Sequence, residues 1–469
     1  MMTLKEKTDL LIIGAGPGGY VAAIYAAKKG LKVTLIDKNY IGGTCLNIGC
    51  IPTKALVKSA DIYEEIMHSD LYGIISNHPS IDMVKVLQRK DEVTKTLVDG
   101  ISFLLNKYQV NVIKGEASFE NNSLVKIHTE TIDYLYEATD ILIATGAKTK
   151  HLKVDGIQLE QVYDSEKLLS NQKLPETLTI IGGGIIGMEF AFIYGHLGVK
   201  VNVIEFLPSI LPMVDKDLSQ RLLRFAKMAN ISIYTNSGVQ KIEQLNKDYV
   251  RVYYKQKEEI KFVDSNLILE AVGRIPNYES LSLEKTDILI GKTYGIDVNE
   301  SMQTSVKHIY AIGDVTNKMQ LAHVASHQGI IAIDTILGHK ATMDYSFVPS
   351  VIFTTPQIAL VGKTETELIK EEIEYFITKV PFSANGKALI MNNSIGFIKL
   401  IQDKESKLLI GASIFGGDAE HLISPLTLAM QNKLSVVQIK DTIFAHPTTS
   451  ELIHEAALGL LGEAIHYLD

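Results

Sequence analysis

The chain has two cysteines in 469 residues, Cys45 and Cys50, both inside the segment GGTCLNIGCIPTK from Gly42 to Lys54. Three kinds of chemistry fit such a pair: buried structural thiols, ligands of a metal or iron–sulfur centre, or a redox couple. Metal and cluster sites usually take three or four ligands. With no other cysteine in the chain, no metal is expected. In a regular helix, residues five apart lie about 7.5 Å apart along the axis and on largely opposite faces. A disulfide needs Cα atoms roughly 4.4–6.8 Å apart. A redox couple at this spacing therefore requires a distorted helical turn, which Gly49 and Pro52 permit. Lys54 stands four residues after Cys50 on the same helical face, where its charge would favour a thiolate. A strained, partly exposed disulfide beside a helix start is readily reduced.

A second stretch, FAHPTTSELIHEAA, carries His446 and Glu451. An imidazole that titrates near neutral pH, oriented by a carboxylate, can take a proton from a thiol. Read alone, the stretch is better explained as a helix start. Thr448 with Glu451 three residues later is a capping-box pattern, and Pro447 precedes it. His454 and Glu455 read as solvated or packing residues.

These groups need elements to position them, and the chain contains one such device twice. Leu10–Ile13 is a short apolar run suited to a buried parallel strand. The turn GAGPGG follows, with Gly14, Gly16 and Gly19 in a G-x-G-x-x-G pattern. An alanine-rich helix then runs to Gly30, and KVTLID forms a second strand ending at Asp37, 23 residues after Gly14. This is the dinucleotide fingerprint in its required context. The first glycine makes the turn, the second admits a pyrophosphate to the backbone, and the third lets helix and strand pack closely. The helix N-terminus faces the phosphates. The stretch LTIIGGGIIGMEFAFIYGHLGVKVNVIE repeats it with Gly182, Gly184, Gly187 and Glu205, every feature displaced by 168 residues. Two copies imply two nucleotide sites. Glu205 accepts from the hydroxyls of an unphosphorylated ribose and repels a 2′-phosphate. No arginine follows it in FLPSILPMVD, so NAD is favoured over NADP.

Bulk properties narrow the class. The chain is 46% apolar and 21% charged, with net charge −8 and a pI near 5.9, which gives no basic footprint for nucleic acid. Leu10–Ala27 is eighteen residues without a charge, but four glycines and a proline break it, so a strand, turn and helix explain it better than a membrane span. No signal peptide is evident. The cysteine usage suits a reducing compartment, and a cytoplasmic location is expected.

GGTCLNIGCIPTK resembles the redox segment of the pyridine nucleotide–disulfide oxidoreductases. The likeness extends along the chain through GEA (115–117), IATG (143–146), VGRIPN (272–277), IYAIGDV (309–315), LAHVASHQG (321–329), PSVIFTTPQIALVG (349–362) and HPTTSE (446–451). It implies an α/β fold with two Rossmann-like dinucleotide-binding domains, for FAD and NAD, and an α+β C-terminal dimerisation domain. The expected boundaries are 1–148 for FAD, 149–275 for NAD, 276–345 for a return to the central domain, and 346–469 for the interface.

By this resemblance FAD is held by Gly14, Gly16, Pro17, Gly18, Gly19, Asp37 and Lys38. Gly43, Thr44, Cys45 and Lys54 of the redox segment add to the site, with Gly115, Ala117, Thr145 and Gly146. Asp314, Leu321, Ala322 and His323 complete it. NAD is taken by Gly182, Gly183, Gly184, Ile185, Ile186, Gly187, Glu205, Val239 and Gly273. Cys50 is implied as the thiol beside the flavin and Cys45 as the outer thiol that meets substrate. Lys54 and Glu189 match an ion pair near the flavin, although Glu189 alone would read as a carboxylate complementing a helix dipole. His446 and Glu451 become the catalytic base and its carboxylate partner, supplied across a homodimer interface.

The implied reaction oxidises protein-bound dihydrolipoamide through the disulfide and FAD, with NAD+ reduced. The implied partner is a lipoyl-bearing acyltransferase of a 2-oxo acid dehydrogenase complex, or a glycine-cleavage carrier. Glutathione-reductase-like, mercuric-reductase-like and non-catalytic scaffold roles are the alternatives. Three positions depart from the family pattern: Gln328 and Gln357 where glutamate is common, and Lys387 where arginine is frequent.

Overall fold

The computed structural model describes residues 3–77 and 79–468. The first fingerprint forms β1 (Thr3–Ile13), α1 (Pro17–Lys28) and β2 (Val33–Asp37). β1 begins earlier than its apolar run. Thr3–Thr8 is mostly exposed, yet it pairs in parallel with residues 133–138 and so belongs to the sheet. The redox segment follows as α2 (Gly43–Ile48) and α3 (Cys50–Met67). Then come the long helix α4 (Met83–Lys107) and strands β3 (Asn111–Lys114), β4 (Glu116–Asn121), β5 (Leu124–His128) and β6 (Asp133–Ile143). The sheet order is β3-β2-β1-β6-β5-β4. Leu10, Leu11 and Ile12 are wholly buried at its centre, as a parallel strand covered on both faces requires.

The chain leaves this unit through β7 (Ala147–Thr149). A second five-stranded parallel sheet uses β8 (Val162–Tyr163), with α5 (Ser165–Leu168), and then β9 (Thr177–Ile181), α6 (Ile185–His196) and β10 (Lys200–Ile204). α7 (Lys216–Met228) and β11 (Ile231–Tyr234) follow. An antiparallel meander of β12 (Ser237–Gln244), β13 (Val250–Gln256) and β14 (Glu259–Ser265) leads into β15 (Leu267–Glu270). The parallel order is β11-β10-β9-β15-β8. The chain returns through β16 (Arg274–Pro276), which pairs antiparallel with β7, so the outgoing and incoming strands form one two-stranded hinge. β17 (Ile309–Ala311) then rejoins the first sheet beside Ile141–Ile143 of β6. α8 (Ala322–Ile336) packs on α1. The two helices approach closely because Gly329 faces Gly18 and Ala22, where a Cβ would meet the Gly18 carbonyl at 2.9 Å.

The third unit is an antiparallel sheet covered by helices. Its strands are β18 (Ser350–Ile352), β19 (Gln357–Gly362), β20 (Tyr375–Pro381), β21 (Phe397–Asp403) and β22 (Leu409–Gly416), in the order β18-β19-β22-β21-β20. Short helices α9 (Glu365–Lys370) and α10 (Gly386–Ile390) connect strands. α11 (Ala419–Gln431), α12 (Val436–Lys440) and α13 (Glu451–Leu460) complete the unit, with α11 and α13 packed on the sheet. Glu455 is a buried anchor rather than a solvated residue. Its carboxylate accepts from the backbone N–H groups of Ile465 (2.7 Å) and His466 (2.6 Å) and from the His466 ring (2.9 Å).

Lys399, in the middle of β21, is fully buried and ties the second unit to the third. Its ammonium lies 2.7 Å from Asp215, 2.6 Å from Glu365 and 3.5 Å from Asp217. Burial alone would lower its pKa, but hydrogen bonds to Asp215 and Glu365 raise it, so it stays charged. The uncharged run Leu10–Ala27 is a strand end, a turn and a helix. Among the described residues no helix is long and apolar enough to cross a membrane.

Candidate active site

The two glycine turns meet the same steric demand in the same way. Gly14 and Gly182 have φ of +107° and +111°, and a Cβ on either would run into the carbonyl of Ala144 or Ala271. No atom lies within 4 Å of a Cβ built on Gly16 or Gly184, so that face of each turn is open for a ligand. Added to Gly19, a Cβ would land on the Gly14 carbonyl oxygen, and added to Gly187, on that of Gly182. The third glycine in each turn is therefore a packing requirement between helix and strand.

The acids do more than await a ribose. Asp37 accepts from the N–H groups of Ala15 (2.7 Å), Asn39 (2.8 Å) and Tyr40 (2.9 Å). Glu205 accepts from Gly183 (2.5 Å) and Leu207 (2.6 Å). Each carboxylate pins its own glycine turn, and both residues also line a cavity.

Both turns open into one cavity of about 1340 Å³, larger than the ~300–1,000 Å³ of a typical small-ligand pocket. Its wall includes Asp37 and Glu205, both cysteines, Lys54 and Glu189, and the segments at Gly115–Ala117, Thr145–Gly146, Asp314 and Leu321–His323. Val239 and Gly273 line its far end. The Thr145 hydroxyl is buried and has no hydrogen-bond partner among the described residues. A glycine cradle, paired acids and an orphan hydroxyl lining a cavity of this size fit dinucleotide ligands. Of the residues singled out from sequence, Gly19, Gly183, Gly187, His446 and Glu451 are absent from the wall.

The redox segment breaks where the spacing argument required. α2 ends at Ile48, Gly49 adopts φ −143° and ψ −114°, and α3 restarts at Cys50. A Cβ on Gly49 would sit 2.9 Å from the Thr44 carbonyl. The side chain of Asn47 ties α2 down by donating to the carbonyls of Ile41 and Gly43, both at 2.9 Å. The break brings the two thiols into hydrogen-bond contact, and their acidities diverge. The hydrogen bond to Cys50, with burial, pushes the Cys45 thiol well above its ordinary range. The hydrogen bond from Cys45, helped by the Lys54 charge and opposed by burial and Glu189, brings Cys50 down to about 7. Cys50 is exposed only in the sense that it faces the cavity.

Lys54 extends from α3 to Glu189 on α6, with Nζ 2.9 and 2.7 Å from the carboxylate oxygens. Glu189 is buried, and it also accepts from the backbone N–H of Phe353 at 3.0 Å. The Lys54 ammonium sits 4.5 Å from the centre of the Phe353 ring. Phe353 had no role in the sequence reading, although it lies in the quoted PSVIFTTPQ. Arg274 was overlooked in the same way; it lines the cavity and opposes the burial that raises the Asp314 carboxyl.

His446 lies elsewhere, on the outer face of the third unit. Its ring is largely exposed, with Nδ1 2.9 Å from Glu451. Burial would raise the Glu451 carboxyl, but the Thr448 N–H and His446 hold it below the usual range. The capping box suggested by Thr448 and Glu451 is only half formed. Glu451 accepts the Thr448 N–H at 3.0 Å, but the Thr448 hydroxyl donates to the Ala445 carbonyl instead of capping the helix. The Glu451 carboxylate serves both, with Oε2 taking the Thr448 N–H and Oε1 holding the imidazole.

The chain is similar to known proteins over nearly its whole length. The model of the pyridine nucleotide-disulphide oxidoreductase family matches residues 8–329, and the dimerisation-domain model of that family matches residues 348–457. The dihydrolipoyl dehydrogenase of Bacillus subtilis is 40% identical over 461 residues, covering 98% of each chain. That of Chlamydia muridarum is 40% identical over 467 residues, covering 99% of each. Among solved structures, LpdA from Mycobacterium tuberculosis superposes with a TM-score of 0.90 at 27% identity, covering 97% of this chain and 99% of that one. The HOCl-induced flavoprotein disulfide reductase RclA from Escherichia coli superposes with a TM-score of 0.86 at 31% identity, covering 96% of this chain and 99% of its own. The paired glycine turns, the thiols between them and these matches together make the chain a member of the pyridine nucleotide–disulphide oxidoreductases.

Proposed function

We propose that this chain oxidises protein-bound dihydrolipoyl groups to lipoyl groups and reduces NAD+, as a homodimer serving a 2-oxo acid dehydrogenase or glycine-cleavage system. The observation that carries the reading is the placing of both thiols, across the break between α2 and α3, in the wall of the one cavity shared by both glycine turns. In this reading the first turn, with Asp37, the 115–117 and 145–146 segments, Asp314 and Leu321–His323, holds FAD. The second turn, with Glu205, Val239 and Gly273, holds NAD. When bound, FAD supplies two-electron acceptance from the dithiol and hydride delivery to NAD+.

The residues of the chain do the rest. In the oxidised enzyme Cys45 and Cys50 are joined. One substrate thiol gives its proton to His446 of the partner subunit, and the resulting thiolate attacks the Cys45 sulfur, breaking the Cys45–Cys50 bond. The second substrate thiol displaces Cys45, closing the lipoyl ring and leaving the enzyme as a dithiol. Cys50 leaves as a thiolate beside the Lys54 charge, and once the ring has closed the Cys45 thiol, which takes up the second substrate proton, donates to it as well. The exposed position of His446, paired to Glu451 and outside the cavity of its own chain, suits a base presented to a second copy. Apolar side chains at Ile74, Ile75, Leu389 and Ile390 are exposed beside the Tyr72–Met391 hydrogen bond, which gives such a copy a surface to cover.

Anaerobic addition of dihydrolipoamide tests the scheme. A long-wavelength thiolate–flavin absorbance should appear, and Cys50→Ser should abolish both that band and NAD+ reduction. Normal NAD+ reduction by the Cys50→Ser enzyme would overturn the reading. No reduction by wild type with any lipoyl substrate would leave only a scaffold role.

A further inference from the structure

The Lys54–Glu189 pair joins a helix of the first unit to a helix of the second, but its third contact comes from elsewhere. Phe353 follows β18 of the third unit and touches both partners. Its backbone N–H donates to Glu189 Oε1 at 3.0 Å, and its ring lies 4.5 Å from the Lys54 ammonium. The ring also forms part of the cavity wall. A cation within ~6 Å of an aromatic face is attracted to it, so Lys54 is held between a carboxylate and a ring.

We propose that Phe353 is a positioning residue, which fixes the Lys54 ammonium toward Cys50 and so makes the reactivity of that thiol depend on how the third unit is seated. The charged and titratable groups facing Cys50 are Cys45 from α2, Lys54 from α3 and Glu189 from α6. Of these, Lys54 favours the thiolate by its charge and Glu189 opposes it. The balance depends on where the ammonium stands between the two. Phe353 acts on both partners, since its N–H spreads the charge of one Glu189 oxygen while its ring keeps the ammonium from turning out to water. Removing the ring lets Lys54 relax away from Cys50, and the thiolate loses support.

The inference rests on the reading of Cys50 as the flavin-side thiol, but it can be tested without turnover. In the Cys45→Ser holoenzyme, Cys50 is the only thiol, and its iodoacetamide alkylation rate against pH reports the thiolate. Phe353→Leu should move the midpoint up by about half a unit, roughly threefold less thiolate at a given acidic pH. Phe353→Tyr keeps the ring and should leave the midpoint in place. Phe353→Leu should have no effect once Lys54→Gln is present. An unmoved midpoint in Phe353→Leu, a moved one in Phe353→Tyr, or an equal shift without Lys54 would overturn the proposal. Flavin absorbance and melting temperature check folding, and Phe353→Met carries the same expectation if the leucine variant does not fold. An enzyme inactive on dihydrolipoamide that still shows the shift would sink the proposed function and keep this inference. An active enzyme without the shift would do the reverse.

Discussion

A thiol that ionises near pH 7 is half thiolate under ordinary conditions, and its neighbour, pushed far higher, remains a thiol. The pair is thus divided into a charge carrier, Cys50, and a proton bearer, Cys45. The sign of the pH effect follows. The Cys50 thiolate is present above about 7 and is lost as pH falls through that value. The long-wavelength band of the two-electron-reduced enzyme should therefore fade on the acid side with a midpoint near 7, and by about tenfold one unit further down. A band constant from pH 5.5 to 8.5 would contradict the assignment. The cysteine spacing was legible because it conflicts with a regular helix, and a glycine stood where the conflict had to be resolved. The reach of Lys54 toward Cys50 was legible from their four-residue spacing, but the groups that hold Lys54 were not. Lys54 and Glu189 are separated by 135 positions, and only the family resemblance paired them. Phe353 carries no charge and no motif of its own, so nothing in its sequence context marked it as a neighbour of that pair.

Among the elements, the two strand–turn–helix devices were the most readable, because their glycines encode steric demands that hold wherever the motif occurs. The third glycine gives the sharpest test. Gly187→Ala places a methyl group on the Gly182 carbonyl oxygen, so α6 must move off β9. Overpacking of this kind costs about 1–3 kcal/mol. It should raise the KM for NAD+ by about tenfold, while flavin content and the KM for dihydrolipoamide stay unchanged. Steady-state kinetics with each substrate varied, together with the flavin-to-protein absorbance ratio, would check this. Loss of flavin would mean that the second turn supports the first site as well. The start of α13 was harder to read. Thr448 and Glu451 fit a helix cap as well as a catalytic arrangement, and which way the Thr448 hydroxyl turns depends on a carbonyl, Ala445, that no sequence pattern signals.

At the scale of the whole molecule, the three units are locked by charge as well as by apolar packing. Lys399 lies in the strand FIKLIQD, where its burial is invisible in sequence because its partners, Asp215, Asp217 and Glu365, come from distant segments. Breaking a buried ionic network by removing one partner costs about 3–5 kcal/mol. Lys399→Met should lower unfolding stability by that order at neutral pH, and Asp215→Asn added to it should recover part of the loss. Denaturant unfolding followed by tyrosine and flavin fluorescence would show both changes. If Lys399→Met were neutral, the third unit would be seated by its apolar contacts alone. The return of the chain to its first sheet has a consequence for synthesis. The Ile141–Ile143 edge of β6 waits for Ile309–Ala311, and the entire second unit is made in between. At ~5–20 residues per second on a ribosome, that edge stands open for on the order of ten to thirty seconds. Its apolar side chains, buried in the finished protein, and its unpaired backbone N–H and C=O groups are during that time a template for pairing with another chain.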